Sequence, residues 1–169
     1  MPGRFEHVKT AHARATPLAL SCVAALLAVA GCGSSSEQQS TAAAADMKAQ
    51  VTQVCRNASA SFDQLSLPTS QDEAVKVQRE AAQIFKNATG KLNELNTNTD
   101  LPADYKSWIG AYGQLSGLNS KAAEAFKKSG ITSDQAIQAG QEWEAQAGKA
   151  NALARQAGLT GCVVGKSKS

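Results

Sequence analysis

Apolar residues return at intervals of three and four over four separate stretches of this chain, and no stretch shows the period-two alternation of a half-buried strand. That periodicity restricts the fold to packed helices. The clearest stripe is Ala74, Val77, Ala81, Ile84, Phe85, Ala88, Leu92 and Leu95, and Ser70 with Glu73 three residues later forms a capping box ahead of it. An earlier stripe, Met47, Val51, Val54, Cys55, Ala58, Phe62 and Leu65, predicts a helix over 46–65 that is broken by Leu67-Pro68-Thr69-Ser70. After a polar loop over 96–100, Pro102 suits the first turn of a third helix, where its missing N–H would be unpaired in any case. That helix carries Tyr105, Trp108, Ile109, Tyr112, Leu115, Ala122 and Phe126, places Lys127 and Lys128 at its negative pole, and stops at Gly130. Thr132 and Gln135 read as a second capping box for the last stripe, Ala136, Gly140, Trp143, Ala147, Ala150, Ala154 and Ala157, which Gly158 ends. Small side chains dominate that stripe and permit close approach to a neighbour, with Trp143 as its one large knob.

Composition agrees with this reading. Apolar residues make up 43% of 169, enough for one core, while aromatics are only 5% and alanine outweighs the bulky strand formers. Short connections force successive helices to reverse, so the expected fold is an all-α, antiparallel up-down four-helix bundle over residues 46–162. The 17 basic and 14 acidic residues form no basic stripe, which argues against a nucleic-acid partner.

The first 31 residues read as an address. Arg4, Lys9 and Arg14 precede an uncharged run over 15–30, a secretory signal layout. Its 16 residues fall short of the ~20 needed to span a bilayer. The run ends in Val29-Ala30-Gly31-Cys32, which resembles the bacterial lipobox. The resemblance implies cleavage before Cys32, a diacylglyceryl group on its thiol, and a lipoprotein held by its acyl chains on the extracytoplasmic face of the cell membrane. Two chains at ~0.8 kcal/mol per buried CH₂ anchor stably where one would be marginal. Residues 33–45, reading GSSSEQQSTAAAA, have the composition of a flexible tether with a reach of about 20 Å, although the four alanines could instead open the first helix.

Removing residues 1–31 takes away Arg4, Lys9, Arg14 and Glu6, leaving 14 basic and 13 acidic residues, and with them His7 and His12, the two histidines of the sequence. A mature domain without imidazole has no Ser-His-Asp or Cys-His nucleophile pair and no His-ligated metal. Carboxylate-only chemistry survives in principle but needs a deep cleft, and no phosphate-cradling or Ca²⁺-loop motif is present. The expectation is a non-enzyme that needs neither cofactor nor metal.

With Cys22 in the signal and Cys32 lipidated, Cys55 and Cys162 remain, and a disulfide between them is the expected outcome in an oxidising compartment. A free redox-active thiol or a two-cysteine metal site are the alternatives. In the up-down topology the end of helix four lies beside the start of helix one, so 159–162 can fold back to Cys55; another helix order would separate the two by up to ~35 Å. The mature chain is similar to small secreted proteins and lipoproteins of actinobacteria in Val54-Cys55, Leu101-Pro102, Asn151-Ala152-Leu153-Ala154 and Leu159-Thr160-Gly161-Cys162. That similarity implies compartment and fold, and carries over no catalytic residue.

One stretch could hold a ligand. Gly110, Gly113 and Gly117 stand inside helix three at ~1 kcal/mol each relative to alanine. Beside Tyr105, Trp108 and Tyr112 they could leave an aromatic-walled pocket for a lipid or glycan. Alternatively they admit close packing of helix four, with Trp143 filling the space. The expected partners are the membrane, through Cys32, and an envelope protein, lipid or glycan. Residues 163–169, ending in Lys166 and Lys168, read as a basic tail.

Overall fold

The computed structural model describes residues 35–165, with side chains from residue 44 onward. The signal segment, Cys32 and the lysines of the tail lie outside the described residues. Four helices follow in order, α1 (Ser35–Phe62), α2 (Gln71–Thr99), α3 (Ala103–Ser129) and α4 (Asp134–Gln156), then a single 3₁₀ turn, Thr160–Cys162. The fold is an all-α four-helix bundle with one disulfide.

Each boundary has a local cause. Helix α1 begins at Ser35 rather than Asp46, so the segment read as a tether is helical here; Ala42–Ala45 are the strongest helix formers and extend the first turn backward. It also ends three residues before Leu65, tightening through Leu65 N–H to Phe62 C=O at 3.0 Å. The Ser70 cap of α2 forms as expected, accepting from Glu73 N–H at 3.2 Å, while the Glu73 carboxylate reaches back to the N–H and hydroxyl of Thr69, both at 2.7 Å. Helix α2 runs through the expected loop as far as Thr99, with the hydroxyls of Thr97 and Thr99 turned onto the carbonyls of Asn93 and Leu95. Asp100, in the left-handed region at φ 47°, then caps it. Ser133, not Thr132, caps α4, accepting from Ala136 N–H at 3.2 Å; Gln135, expected to complete the box, bonds Ser129 instead.

The cross-links give the topology. Ser116 Oγ donates to Ala82 C=O and Arg79 pairs with Glu124, so α2 and α3 run antiparallel. Gln146 donates to Ala111 C=O and Lys121 pairs with Glu142, so α3 and α4 do too. Phe62 meets Phe85, which reverses α1 against α2. That register leaves Gln71–Ile84, about 21 Å of α2, beyond the end of α1. The connection over 63–70 covers that length by being extended, and Leu67 within it is 91% exposed. One end of the bundle is therefore three helices, α2 to α4, around alanines such as Ala81, Ala82, Ala122, Ala123 and Ala139.

The other end is closed differently. Backbone packing joins α1 to α2, α2 to α3 and α3 to α4, but not α1 to α4. The seam between α1 and α4 is filled by the chain end. After Gly158, in the left-handed region at φ 69°, residues 159–165 turn back along α1: Gly158 stands near Lys48, Gly161 near Thr52, and Cys162 is bonded to Cys55. Asn151 of α4 holds this strap from the other side, its side-chain amide donating to Val164 C=O at 3.0 Å and accepting from Val164 N–H at 2.8 Å. Leu159 and Cys162 are buried, and Val163 and Val164, expected to begin the basic tail, pack partly buried against the core.

Three carboxylates sit below their ordinary values: Glu73 through the Thr69 N–H and hydroxyl, Asp100 through Lys106, and Glu142 through Lys121. A carboxyl whose folded value is depressed contributes stability above its unfolded value and loses it as pH falls through the folded one. No histidine stands in residues 35–165. We predict a urea midpoint that is flat between pH 6 and 8 and declines once pH falls below the ordinary glutamate value of 4.5. A midpoint that moved between pH 6 and 8 would contradict this assignment.

Candidate functional site

Each helix contributes one aromatic residue to a single level of the bundle. Phe62, the last residue of α1, lies 4.8 Å from Phe85 of α2, ring centre to ring centre, and Phe85 lies edge-on to Tyr112 of α3 at 5.1 Å. Trp143 of α4 stands on the far side. Between them opens a cleft of about 320 Å³, closed by the Cys55–Cys162 disulfide and by strap residues Gly161, Val163 and Val164. It lies in the seam where no backbone contact joins α1 to α4 and the strap runs between them.

Most of the lining is apolar. Burial raises the Tyr112 phenol well above its ordinary value of 10.0, so it stays neutral at any physiological pH. Asp63 is the one ionisable carboxylate on the wall, and no lysine or arginine of the described residues lines it. Trp143 is half-buried, yet its indole N–H is shielded from solvent and finds no hydrogen-bond acceptor among the described residues. Its neighbour in kind, Trp108, also has an unpartnered N–H but lies wholly inside the core.

The structure divides the aromatic residues singled out in the sequence. Tyr105 and Trp108 are core residues, 9% and 0% exposed, and do not line this cleft. Tyr112 and Trp143 do line the cleft, together with Phe62 and Phe85, which sequence reasoning treated as stripe residues only. The helix-three glycines are elsewhere. Gly110 and Gly117 are exposed with open space where a Cβ would stand, Gly113 has Thr89 of α2 against it, and Gly113 and Gly117 also border a separate groove that they share with Ala145 and Gln146 of α4. They do not border the aromatic cleft; Gly113 and Gly117 do lie on the side of α3 that meets α4, but Trp143 is not the residue that stands against them.

A mutational prediction follows from that geometry. Gly110→Ala and Gly117→Ala are each expected to raise stability by about 0.5–1 kcal/mol, since the helix gains propensity and meets no obstacle. Gly113→Ala is expected to lower it, because its Cβ would stand 3.0 Å from Cγ2 of Thr89, a β-branched side chain with little freedom to turn away. Thermal melts of the three variants check this, and a gain at Gly113 equal to the others would refute the close approach to α2.

Cys55 and Cys162 form the expected disulfide, with Cα atoms 5.1 Å apart. No group of three or more His, Cys, Asp or Glu among the described residues is placed to hold a metal ion, and no described helix is long and apolar enough to cross a membrane. Glu142 is occupied by Lys121 and Gln138, as a solvated charge on an outer face would be. The site defines a disulfide-closed helical bundle with one aromatic cleft. Comparison with protein-family models, with curated proteins and with solved structures finds no match.

Proposed function

We propose that this chain is a lipid-anchored, extracytoplasmic module of the cell envelope that binds a partner and catalyses no reaction. The observation that carries the reading is the lipobox-like Val29-Ala30-Gly31-Cys32 ahead of a helical domain closed by a disulfide, a bond that persists in oxidising compartments. The absence of histidine after residue 12, and a cleft whose wall carries a single carboxylate where a glycosidase-type mechanism needs two, support a binding role. The test is the intact mass of membrane-extracted protein with and without reduction. A chain starting at Cys32 with a diacylglyceryl group, gaining two hydrogens on reduction, is the expected result. A mass without lipid, or with the signal retained, would overturn the anchoring.

A second reading, a carrier or sensor of a small ligand, is favoured by the cleft. Its volume is at the small end of ligand pockets, and its aromatic wall with few polar groups is the usual make-up of one. This moves the ligand from the helix-three face to the seam between α1 and α4.

A further inference from the structure

We infer that the cleft takes a small organic cation whose charge sits on an N-methylated ammonium group, a proposal that rests on the small-ligand reading and names its ligand class. Field, rings, desolvation and size point the same way.

The field comes from the end of α1. The last turn of that helix puts Ser59 and Phe62 on the wall, and Asp63 follows at once. A helix ends in a negative pole equivalent to about half an elementary charge, and no basic side chain stands in the last turn of α1 to offset it. Asp63 adds a carboxylate at that pole, a place where the helix itself gains nothing from one. Tyr112 is kept neutral by burial, and no lysine or arginine of the described residues is on the wall, so every fixed charge that these residues bring to it is negative. An entering anion is repelled and a cation attracted. Asp63 has an interaction of its own within the chain. A quaternary ammonium leaves that interaction in place, because it has no N–H to donate, takes no lone pair and responds to the field alone.

The rings act on the same charge. Phe62, Phe85, Tyr112 and Trp143 come from four different helices and line one space. Their planes are inclined by 54° between Phe62 and Phe85 and by 69° between Phe85 and Tyr112, so these three do not form a flat stack. The face of an aromatic ring is its negative region, and a cation within about 6 Å of a ring centre is drawn to it, most strongly by tryptophan. Rings set at several inclinations suit a tetrahedral group, which can touch them on several sides, better than a planar one.

Desolvation selects among cations. A primary ammonium carries three N–H donors that need acceptors once water is gone, and this wall is mostly apolar, with Ser59 and Tyr112 as its hydroxyls. Methyl groups in place of those donors remove that cost. Size sets the limit. A cavity of about 150 Å³ holds benzene, and this cleft is about 320 Å³, room for a trimethylammonium head and a short arm but not for two acyl chains. The ligand is therefore a free small molecule and not the headgroup of an intact phospholipid, whose phosphate would also bring a negative charge toward Asp63.

The test uses the ¹⁵N-labelled full-length chain as purified from its producing cells, acylated or not, since the readout does not involve the anchor. Four probes are titrated at constant ionic strength. Choline carries the proposed group; 3,3-dimethyl-1-butanol has the same shape with carbon in place of the charged nitrogen; ethanolamine keeps the charge and loses the methyl groups; phosphocholine adds the headgroup phosphate. Choline is expected to move the amides of Phe62, Asp63, Gly161 and Val163, and to bind about tenfold more tightly than its neutral isostere, as a partly desolvated cation among rings does. Its N-methyl protons should shift upfield on binding, the displacement that protons over ring faces undergo and protons at ring edges do not. Ethanolamine and phosphocholine should each bind more weakly than choline. Asp63→Asn should weaken choline binding about threefold and leave the isostere unchanged. Phe62→Leu, which keeps an apolar side chain without a ring, should act in the same direction. Asp63 is exposed, so its asparagine variant keeps the fold and stays informative even if Phe62→Leu does not. Equal affinity of choline and its isostere, tighter binding of ethanolamine or phosphocholine, an N-methyl signal that does not move upfield, or undiminished choline binding by Asp63→Asn would overturn the ligand class and leave the small-ligand reading standing. If no probe moves these amides at millimolar concentration, and native mass spectrometry of the purified chain shows no co-purified small molecule, the carrier reading falls with it. A co-purified molecule that is neutral or anionic would remove only the proposal made here.

Discussion

Replacing Cys55 and Cys162 together by alanine is expected to cost about 4–5 kcal/mol, a large part of the ~5–15 kcal/mol that holds a domain of this size. The bond closes a loop with a sequence separation of 107, and constraint of the unfolded chain accounts for about 4.7 kcal/mol at that length. The loss should also be local. Without the bond the strap is retained by Leu159 and by the Asn151 amide, and α1 keeps α2 as its one helix neighbour. Hydrogen exchange should therefore rise first in residues 47–62 and 159–164 while α2, α3 and α4 stay protected. Urea titration and exchange mass spectrometry check the two halves of the prediction. A uniform rise in exchange, or a stability change under ~1 kcal/mol, would mean that the seam is held by something other than the strap.

Trp108→Ala is expected to cost about 3–5 kcal/mol, the second large effect. Trp108 is fully buried in the core and its ring packs at a tilt against Tyr112, 5.3 Å centre to centre. Deleting it leaves a cavity ringed by helices whose backbones are fixed by their other contacts, so relaxation can fill it only in part. Trp108→Phe should cost markedly less, because the lost volume is smaller and the substitution removes an indole N–H that has no acceptor in the folded state. Urea midpoints of the two variants check these costs. A phenylalanine variant as damaged as the alanine one would show that the unpartnered N–H is not a burden.

The helices themselves were legible because the stripes at three and four spacing state which face of each helix is inward. Ser70 with Glu73, the lysines before Gly130, and the alanine stripe of α4 all stand where the pattern places them. Periodicity carries no information, however, about how far one helix slides along another. Nothing in the stripe of α1 says that Phe62 meets Phe85 and not a residue two turns nearer the start of α2; that depends on the extended path over 63–70. The cleft is a product of that register, which is why Phe62 and Phe85 read as ordinary core residues. Trp143 stood out because it interrupts a run of small side chains. The glycines misled for a related reason: an exposed helical glycine and one at a close contact look the same in sequence, and Gly113 differs from Gly110 and Gly117 only by having Thr89 opposite.

The position of the disulfide also decides how the domain responds to tension. Cys55 lies in the first helix and Cys162 in the last turn, so the residues between them form a covalent ring with one free length of chain leaving from each bonded cysteine. A pull on the two ends of the chain travels along α1 to Cys55, crosses the sulfur–sulfur bond, and leaves through residues 163–165. Helices α2 and α3 and all of α4 lie off that path. Stretched end to end under oxidising conditions, the chain should lengthen only by the segments outside the ring, and a mechanical trace should show the long extension of the remaining residues only after reductant is added.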